Sequence, residues 1–444
     1  MKPISLSAAD RAIFRLALPG IVSNVTVPLL GLADTAVTGH LGSARELAAI
    51  AVGTTVFNML YWIFSFLRMG TCGLTAQACG QKAQDEARIL LLRALAWAFG
   101  LGAALILLQR PLLGLALALT AAPGGLHADV ALYFRILVWG APAMLGLYAL
   151  GGWFVGMQDT QSPMWISIMQ NVANIGLTLF FVYGLGGGLG GVACGTLCAQ
   201  YLALGLGFCF WRRRHAAGAA RSEFAGLLRR ALSRKELLDG RFLGVGRDLL
   251  LRTLCMVAVT VGFTAAGARR GEEVLAANMV LMQFFMLLSY MMDGLAYAGE
   301  ALCGRFRGAG DKAALTQTIG RLFLWGALFA AAFTALYGIF GQAMVDFLTD
   351  VPRVRARCAA LLPRVALLPP ASLAAFLLDG VFVGLTATRG MFVSMLAAST
   401  AFFALVRLCP ESDNALWAAF LAYLFLRGAM QAVLLPRLLA EVRR

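Results

Sequence analysis

The sequence predicts an all-α integral membrane protein of twelve transmembrane helices, arranged as two six-helix lobes related by an internal repeat. Three observations carry this prediction. Of 444 residues, 60% are hydrophobic and only 13% charged, about half the charged fraction of a soluble domain, and the mean hydropathy is +0.78. Apolar runs of 18 or more residues, long enough to cross a bilayer as helices, recur along the whole chain. The second half repeats the first at one constant offset of 228 residues. Lipid offers no partner to backbone N–H and C=O groups, so only helices and closed barrels span it. The runs are continuous rather than alternating, which selects helices.

The first run, 12–40, follows Asp10 and Arg11 and is roughly thirty residues long, beyond the 7–15 residues of a signal-peptide core. No small-residue cleavage pattern accompanies it, so it is expected to stay as the first helix. Runs at 47–77, 87–109 and 130–157 supply helices two to four, and 164–183 and 189–211 supply five and six. The "GLGGGLGG" between the last two (184–191) lacks the Gly-Lys-Ser/Thr of a phosphate cradle and reads as a tight turn. The longest break, 212–247, opens "WRRRH" and holds "LLRRALSRKELLDGR", a short amphipathic helix. Helices seven to twelve follow at 248–267, 275–303, 316–345, 358–385, 391–408 and 415–440. The expected organisation is an N-lobe over 1–211, a basic linker over 212–247 and a C-lobe over 248–444.

Between Arg212 and Arg252 there are eleven basic and four acidic residues, so the linker faces the cytoplasm. Six helices precede it, which puts the N-terminus, with Lys2, Arg11 and Arg15, on the same side; twelve helices return the C-terminus there. The loops with Lys82 and Arg88, and with Arg305, Arg307 and Lys312, agree. The loop with Arg353, Arg355 and Arg357 falls outside and is a local exception. The net charge of +15 is explained by this asymmetry and requires no nucleic-acid partner. The expected location is the inner membrane, as a multi-pass monomer in the lipid bilayer.

In the repeat, "LAA" at 47–49 meets "LAA" at 275–277, and Gly80 meets Gly308. Arg93 meets Arg321, Trp97 meets Trp325, Pro142 meets Pro370, and Gly152 meets Gly380. "FVG" at 154–156 meets "FVG" at 382–384, and Thr160 meets Thr388. The Trp and Pro matches weigh most because both residues are scarce here. Six helices per half give both halves one orientation, related by a pseudo-two-fold axis along the membrane normal. Two parallel lobes that rock about a midplane site are a carrier plan.

Asp34, in "GLADTAVTGHLG", has no Lys or Arg within ten residues on either side. An ionised acid at the bilayer centre costs about 2.5–3.5 kcal/mol, so it must be neutral, paired or in a watery cavity. Burial raises a carboxyl's pKa and can make it a proton exchanger; the alternative is an interfacial acid at a helix end. Asn171, Asn174 and Thr178 share one face of the fifth helix, for interhelical hydrogen bonds or for an ion or proton site. In the C-lobe, Asp293 and Glu300 share a face, Glu300 could pair with Arg305, and Asp379 is a further acid in an apolar helix. These acids, with Gln283, are the candidate substrate contacts. The nine cysteines lie in or beside apolar segments and imply packing, without a disulfide framework. Cys194 and Cys198 share a helix face without a His or carboxylate, and His40, His127 and His215 form no metal pattern. The "NVT" sequon at 24–26 lies inside an apolar helix and is expected to be silent. No nucleophile–base pair, metal set or nucleotide motif is present, so no cofactor and no enzyme activity are expected.

The segments "DTAVTGHLG" (34–42), "GAPA", "GMQDTQSPM" (156–164), "NVANIGLTLFFVYGLGGGLGGVACGT", "LAAN" and "DGLAYAGEAL" together resemble the multidrug and toxic compound extrusion family, in its DNA-damage-inducible F branch. The resemblance covers essentially the whole chain. It implies cation-driven export of amphipathic, often cationic small molecules, with Asp34 as the proton or sodium carrier, Asn174 as the fifth-helix amide and Thr196 as the sixth-helix hydroxyl. Many members carry an Asp four residues after that amide, where this chain has Thr178. One N-lobe carboxylate instead of two favours a proton over sodium as the coupling ion. Two other readings compete with it. A lipid-linked-oligosaccharide or lipid flippase would line its cavity with Arg, whereas the intramembrane charges noted here are mostly acidic. A non-transporting receptor or intramembrane enzyme lacks any supporting motif.

Overall fold

The computed structural model describes residues 7–39, 44–120, 124–215, 221–408 and 412–442; for 27–39, 44, 119–120 and 221–224 it describes the backbone path only. All regular structure among the described residues is helical. In chain order the spans are α1 (Ala8–Gly39), α2 (Arg45–Gly80), α3 (Gln84–Leu107), α4 (Gly124–Gly156), α5 (Gln161–Gly184) and α6 (Gly188–His215). A linker helix, Arg221–Ala231, follows. The second set is α7 (Arg234–Ala268), α8 (Glu272–Ala309), α9 (Lys312–Leu348), α10 (Pro352–Val365 and Leu368–Gly384), α11 (Thr388–Leu408) and α12 (Asp413–Glu441). The twelve predicted helices are therefore all present. The two pieces of α10 are bent by 55° just before Pro369 and Pro370, whose rings remove N–H donors from the helical ladder. In α4 a 3-10 turn, Val138–Gly140, precedes Pro142 in the same way.

The repeat is visible in the backbone. Among non-helical positions, Lys82 (φ 59°) and Gly310 (φ 73°) both turn left-handed, as do Gln158 (φ 66°) and Thr386 (φ 51°); each pair is 228 apart. A Cβ on Gly152 would land on the carbonyl oxygen of Arg68, and one on Gly380 on that of Ala296. One turn later, a Cβ on Gly156 would lie 2.7 Å from the Cys72 oxygen and one on Gly384 2.6 Å from the Glu300 oxygen. These glycines let α4 pack backbone-to-backbone on α2, and α10 on α8. The turn between α5 and α6 uses Gly186 (φ 65°) and Gly188 (φ 49°), as "GLGGGLGG" predicts.

The chain forms two compact units, one of residues 22–243 and one of 1–21 with 244–444. The expected boundaries at 211 and 248 are thus displaced. The linker belongs to the first unit, and the opening turns of α1 belong to the second. The repeated Arg and Trp explain both shifts. In the first unit Arg93 pairs with Glu236 and, at 3.0 Å, with Asp239, while Trp97 Nε1 donates to the Leu237 carbonyl at 3.1 Å. In the second, Arg321 pairs with Asp10 at 2.5 Å and Trp325 Nε1 donates to the same carboxylate at 2.9 Å. Asp10 also accepts from the Ser7 backbone amide at 2.9 Å and the Ser7 hydroxyl accepts from the Asp10 amide at 3.2 Å, a capping box that starts α1.

The core of the first unit holds Trp153, Phe134 and Phe154, and that of the second Trp417, Tyr337 and Phe263, all fully buried. Their polar atoms are bonded: Trp153 to the Ala87 carbonyl at 2.7 Å, Trp417 to Asn278 at 2.9 Å and Tyr337 to the Phe284 carbonyl at 2.7 Å. The exceptional arginines of the α9–α10 turn are neutralised locally. Arg353 pairs with Glu273 at 3.1 Å, Arg355 with Asp350 at 2.8 Å and Arg357 with Asp413 at 2.8 Å.

Candidate functional site

In the first unit α5 turns Asn174, 2% exposed, and Thr178, fully buried, toward α6. Gly195 makes room for them: a Cβ there would lie 2.6 Å from the Thr178 hydroxyl and 2.8 Å from its backbone. Thr196 follows directly. Asn174 Nδ2 donates to the Thr196 hydroxyl at 2.9 Å, which in turn donates to the Val192 carbonyl at 3.1 Å. Two buried oxygens, Asn174 Oδ1 and Thr178 Oγ1, are left without a partner among the described residues. A buried polar atom without a partner costs about 1–3 kcal/mol, and these two lie on one face of α5.

The same face of α5 holds α1. Asn171 Nδ2 donates to the Thr26 carbonyl at 3.1 Å, and the Thr26 hydroxyl lies 3.3 Å from Ser167 Oγ. Asp34 lies further along α1; its side chain, like His40 and Cys409, is outside the described residues. Helical rise sets its level. Asp34 is about 12 Å beyond Thr26, and Thr178 about 10 Å beyond Asn171, on helices an even number of spans apart and so running the same way. The backbone at Asp34 therefore lies level with Thr178 and about 7 Å beyond Asn174.

The candidate acids of the second unit fare differently. Asp379 is 6% exposed, and its carboxylate accepts from Arg252, from Arg427 at 2.5 Å and from Gln431 at 2.7 Å. Glu300 is buried and forms no salt bridge with Arg305, which is exposed. The expected pair fails because five residues on a helix point to different sides, while only spacings of three or four meet. Asp293 is half-buried and accepts from Ser289 at 3.4 Å, and Gln283 is exposed. Arg252, Arg427 and Gln431 escaped the sequence reading. The signal was available, since a lone Arg in an apolar helix demands a partner as much as a lone acid does.

Beside the turn from α4 to α5, Asp159 accepts from the Ser162 hydroxyl at 2.6 Å and the Ser162 amide at 3.0 Å, and pairs with Arg214 at 3.1 Å. His215 Nε2 is 3.6 Å away and its ring packs edge-on against Trp153. Burial opposes ionisation of Asp159, but His215, Ser162 and Arg214 outweigh it and hold the carboxyl well below the usual carboxylate range. No group of three or more His, Cys, Asp or Glu fit for a metal occurs among the described residues.

Comparison with known proteins agrees with this architecture. The MatE family matches twice, over residues 19–180 and 249–406, once in each half. The chain is 34% identical over 433 residues to DNA damage-inducible protein F of Escherichia coli (strain K12), covering 97% of this chain and 93% of that one. It is 24% identical over 388 residues to a probable multidrug resistance protein NorM of Shewanella oneidensis, covering 86% and 83%. Among solved structures, a MATE crystallised in the straight conformation superposes with a TM-score of 0.85 at 18% identity, over 100% of this chain and 99% of that one. An outward-facing multidrug resistance MATE superposes with a TM-score of 0.83 at 19% identity, with the same coverage. The duplicated match, the full-length relative and the twelve-helix fold agree, and the chain belongs to the MatE family of membrane transporters, not to the enzymes.

Proposed function

We propose that this protein is a secondary active antiporter that exports lipophilic, often cationic compounds in exchange for protons, with Asp34 as the coupling acid. The observation that carries the reading is the pair of unpartnered oxygens, Asn174 Oδ1 and Thr178 Oγ1, on the face of α5 that holds α1, with Thr178 at the level of Asp34. An ionised carboxylate only accepts hydrogen bonds, so it can take one from the Thr178 hydroxyl but cannot satisfy Asn174 Oδ1. A protonated carboxyl brings the O–H that Asn174 Oδ1 lacks. Uptake of a proton thus strengthens the grip of α5 and α6 on α1, and its loss loosens it, which is the two-state element that antiport needs. Alternating access of the two lobes exposes the acid to each side in turn. Sodium is the less favoured ion. It needs several hard oxygen ligands with compensating charge, and the position four residues after Asn174 is the neutral Thr178. The C-lobe arginines do not support a phosphate-binding flippase, because Arg252 and Arg427 are both engaged by Asp379. We place the protein in the inner membrane, with both termini on the cytoplasmic side together with the linker.

The test is export of a cationic dye from reconstituted vesicles under a proton gradient or a sodium gradient alone, with the native chain beside Asp34→Asn. Proton-driven export that the substitution abolishes is expected. Sodium-driven export, or export that survives Asp34→Asn, overturns the reading.

A further inference from the structure

Where the linker crosses α3 there is a groove of about 590 Å³ between Trp97, Gly100 and Leu101 on one wall and Leu232 and Leu238 on the other, with Arg234 at its edge. Its walls are fixed. Arg93 and Trp97 bind the linker through Glu236, Asp239 and the Leu237 carbonyl. Leu227 and Leu228 pack against the buried cluster of Ile89, Leu92 and Ala231. Yet Leu232 is 47% and Leu238 52% exposed, a poor arrangement in water and an ordinary one against acyl chains. The groove lies on a membrane-spanning helix at a Trp next to an Arg, the pairing that marks the headgroup boundary.

The edge of the groove is cationic. Arg229, Arg234 and Lys235 are exposed, and none forms an ion pair among the described residues. The acids nearby are committed: Glu236 to Arg93 and, at 3.6 Å, to Arg230, and Asp239 to Arg93. An apolar slot opening on the bilayer under an unneutralised basic rim complements one ligand chemistry, an acyl chain joined to an anionic headgroup. We propose that this groove is a binding site for an anionic phospholipid of the leaflet that faces the linker, its chain along Trp97, Gly100 and Leu101 and its phosphate at Arg234 and Lys235. A zwitterionic lipid leaves the rim uncompensated, and a free anion leaves the slot empty. The site fastens the linker to the membrane surface and is independent of the coupling ion.

The experiment uses the purified full chain in detergent, mixed with equal amounts of phosphatidylglycerol and phosphatidylcholine of matched chains, with retained lipid counted by native mass spectrometry. The expected result is one tightly retained phosphatidylglycerol, preferred by roughly tenfold or more, the scale that two or three basic side chains near an anionic headgroup provide. Arg234→Gln with Lys235→Gln should remove the preference. Gly100→Leu should remove the retained lipid altogether with the melting temperature unchanged, because a Cβ at Gly100 meets no atom within 4 Å and the new side chain fills the slot. Equal retention of the two lipids by the native chain overturns the proposal, as does a preference that survives both variants. Displacement of the lipid by millimolar inorganic phosphate also overturns it, in favour of a plain anion site. A dimer that Gly100→Leu abolishes assigns the groove to a second copy of the chain and overturns it too.

Discussion

Thr178 is fully buried and Asp159 half-buried, and the structure treats these two polar residues in opposite ways. The Thr178 hydroxyl oxygen has no partner among the described residues, so Thr178→Val, which keeps the shape and deletes that oxygen, should raise or preserve the melting temperature by up to about 1 kcal/mol of stability. Proton-driven export should fall at the same time. A variant that loses stability and keeps full export would make Thr178 a packing residue. Asp159 is fully bonded, and its folded-state pKa lies below the unfolded value of about 3.9. Its contribution is therefore complete above that value and is lost only as the pH falls through the folded pKa. The melting-temperature difference between the native chain and Asp159→Asn should stay constant from pH 8 to 5 and shrink below pH 4. A difference that changes between pH 8 and 5 would point to titration of another group.

At the level of helices, the close crossings of α2 with α4 and of α8 with α10 depend on glycine. Gly380→Val would drive a side chain into the Ala296 carbonyl, which cannot swing aside, so the cost should reach about 3 kcal/mol or more. Gly152→Val should behave alike against Arg68. Equal losses of melting temperature would show the two crossings to be equivalent, and a tolerated Gly380→Val would refute the packing. The crossings that these glycines permit were not legible in the sequence, but the pairing of the glycines was, because a duplicated fold keeps its glycines, its prolines and its Arg and Trp at one offset. So was the stripe of Asn171, Asn174 and Thr178, since helical period alone defines a face. The partners of Arg93 and Arg321 were not legible. One takes Glu236 and Asp239 and the other Asp10; Asp10 and Asp239 stand one residue off the repeat offset, but which arginine each meets depends on tertiary placement that no local pattern encodes. The burial of Asp379 between Arg252 and Arg427 stayed hidden for the same reason.

In the whole molecule, each sequence half lends its leading segment to the compact unit of the other. Residues 1–21 fold with 244–444, and the linker up to Leu243 folds with 22–215. Asp10 is held there by Arg321 and Trp325, and Glu236 and Asp239 by Arg93. Hydrogen bonds to charged groups contribute about 1.5–3 kcal/mol each, and they act within a unit, so covalent continuity between the halves is not what joins them. Residues 1–215 and 221–444, co-expressed as two chains, should therefore copurify as a one-to-one pair. Arg93→Ala with Arg321→Ala should weaken that pair in a pull-down while leaving the intact chain able to insert. The exchange also determines what each substitution releases. Arg321→Ala frees the start of α1, the helix that carries Asp34, whereas Arg93→Ala frees the start of α7, which carries no coupling acid. Loss of export in the intact chain should accordingly be larger for Arg321→Ala than for Arg93→Ala. Equal losses would mean that the two clamps serve stability alone.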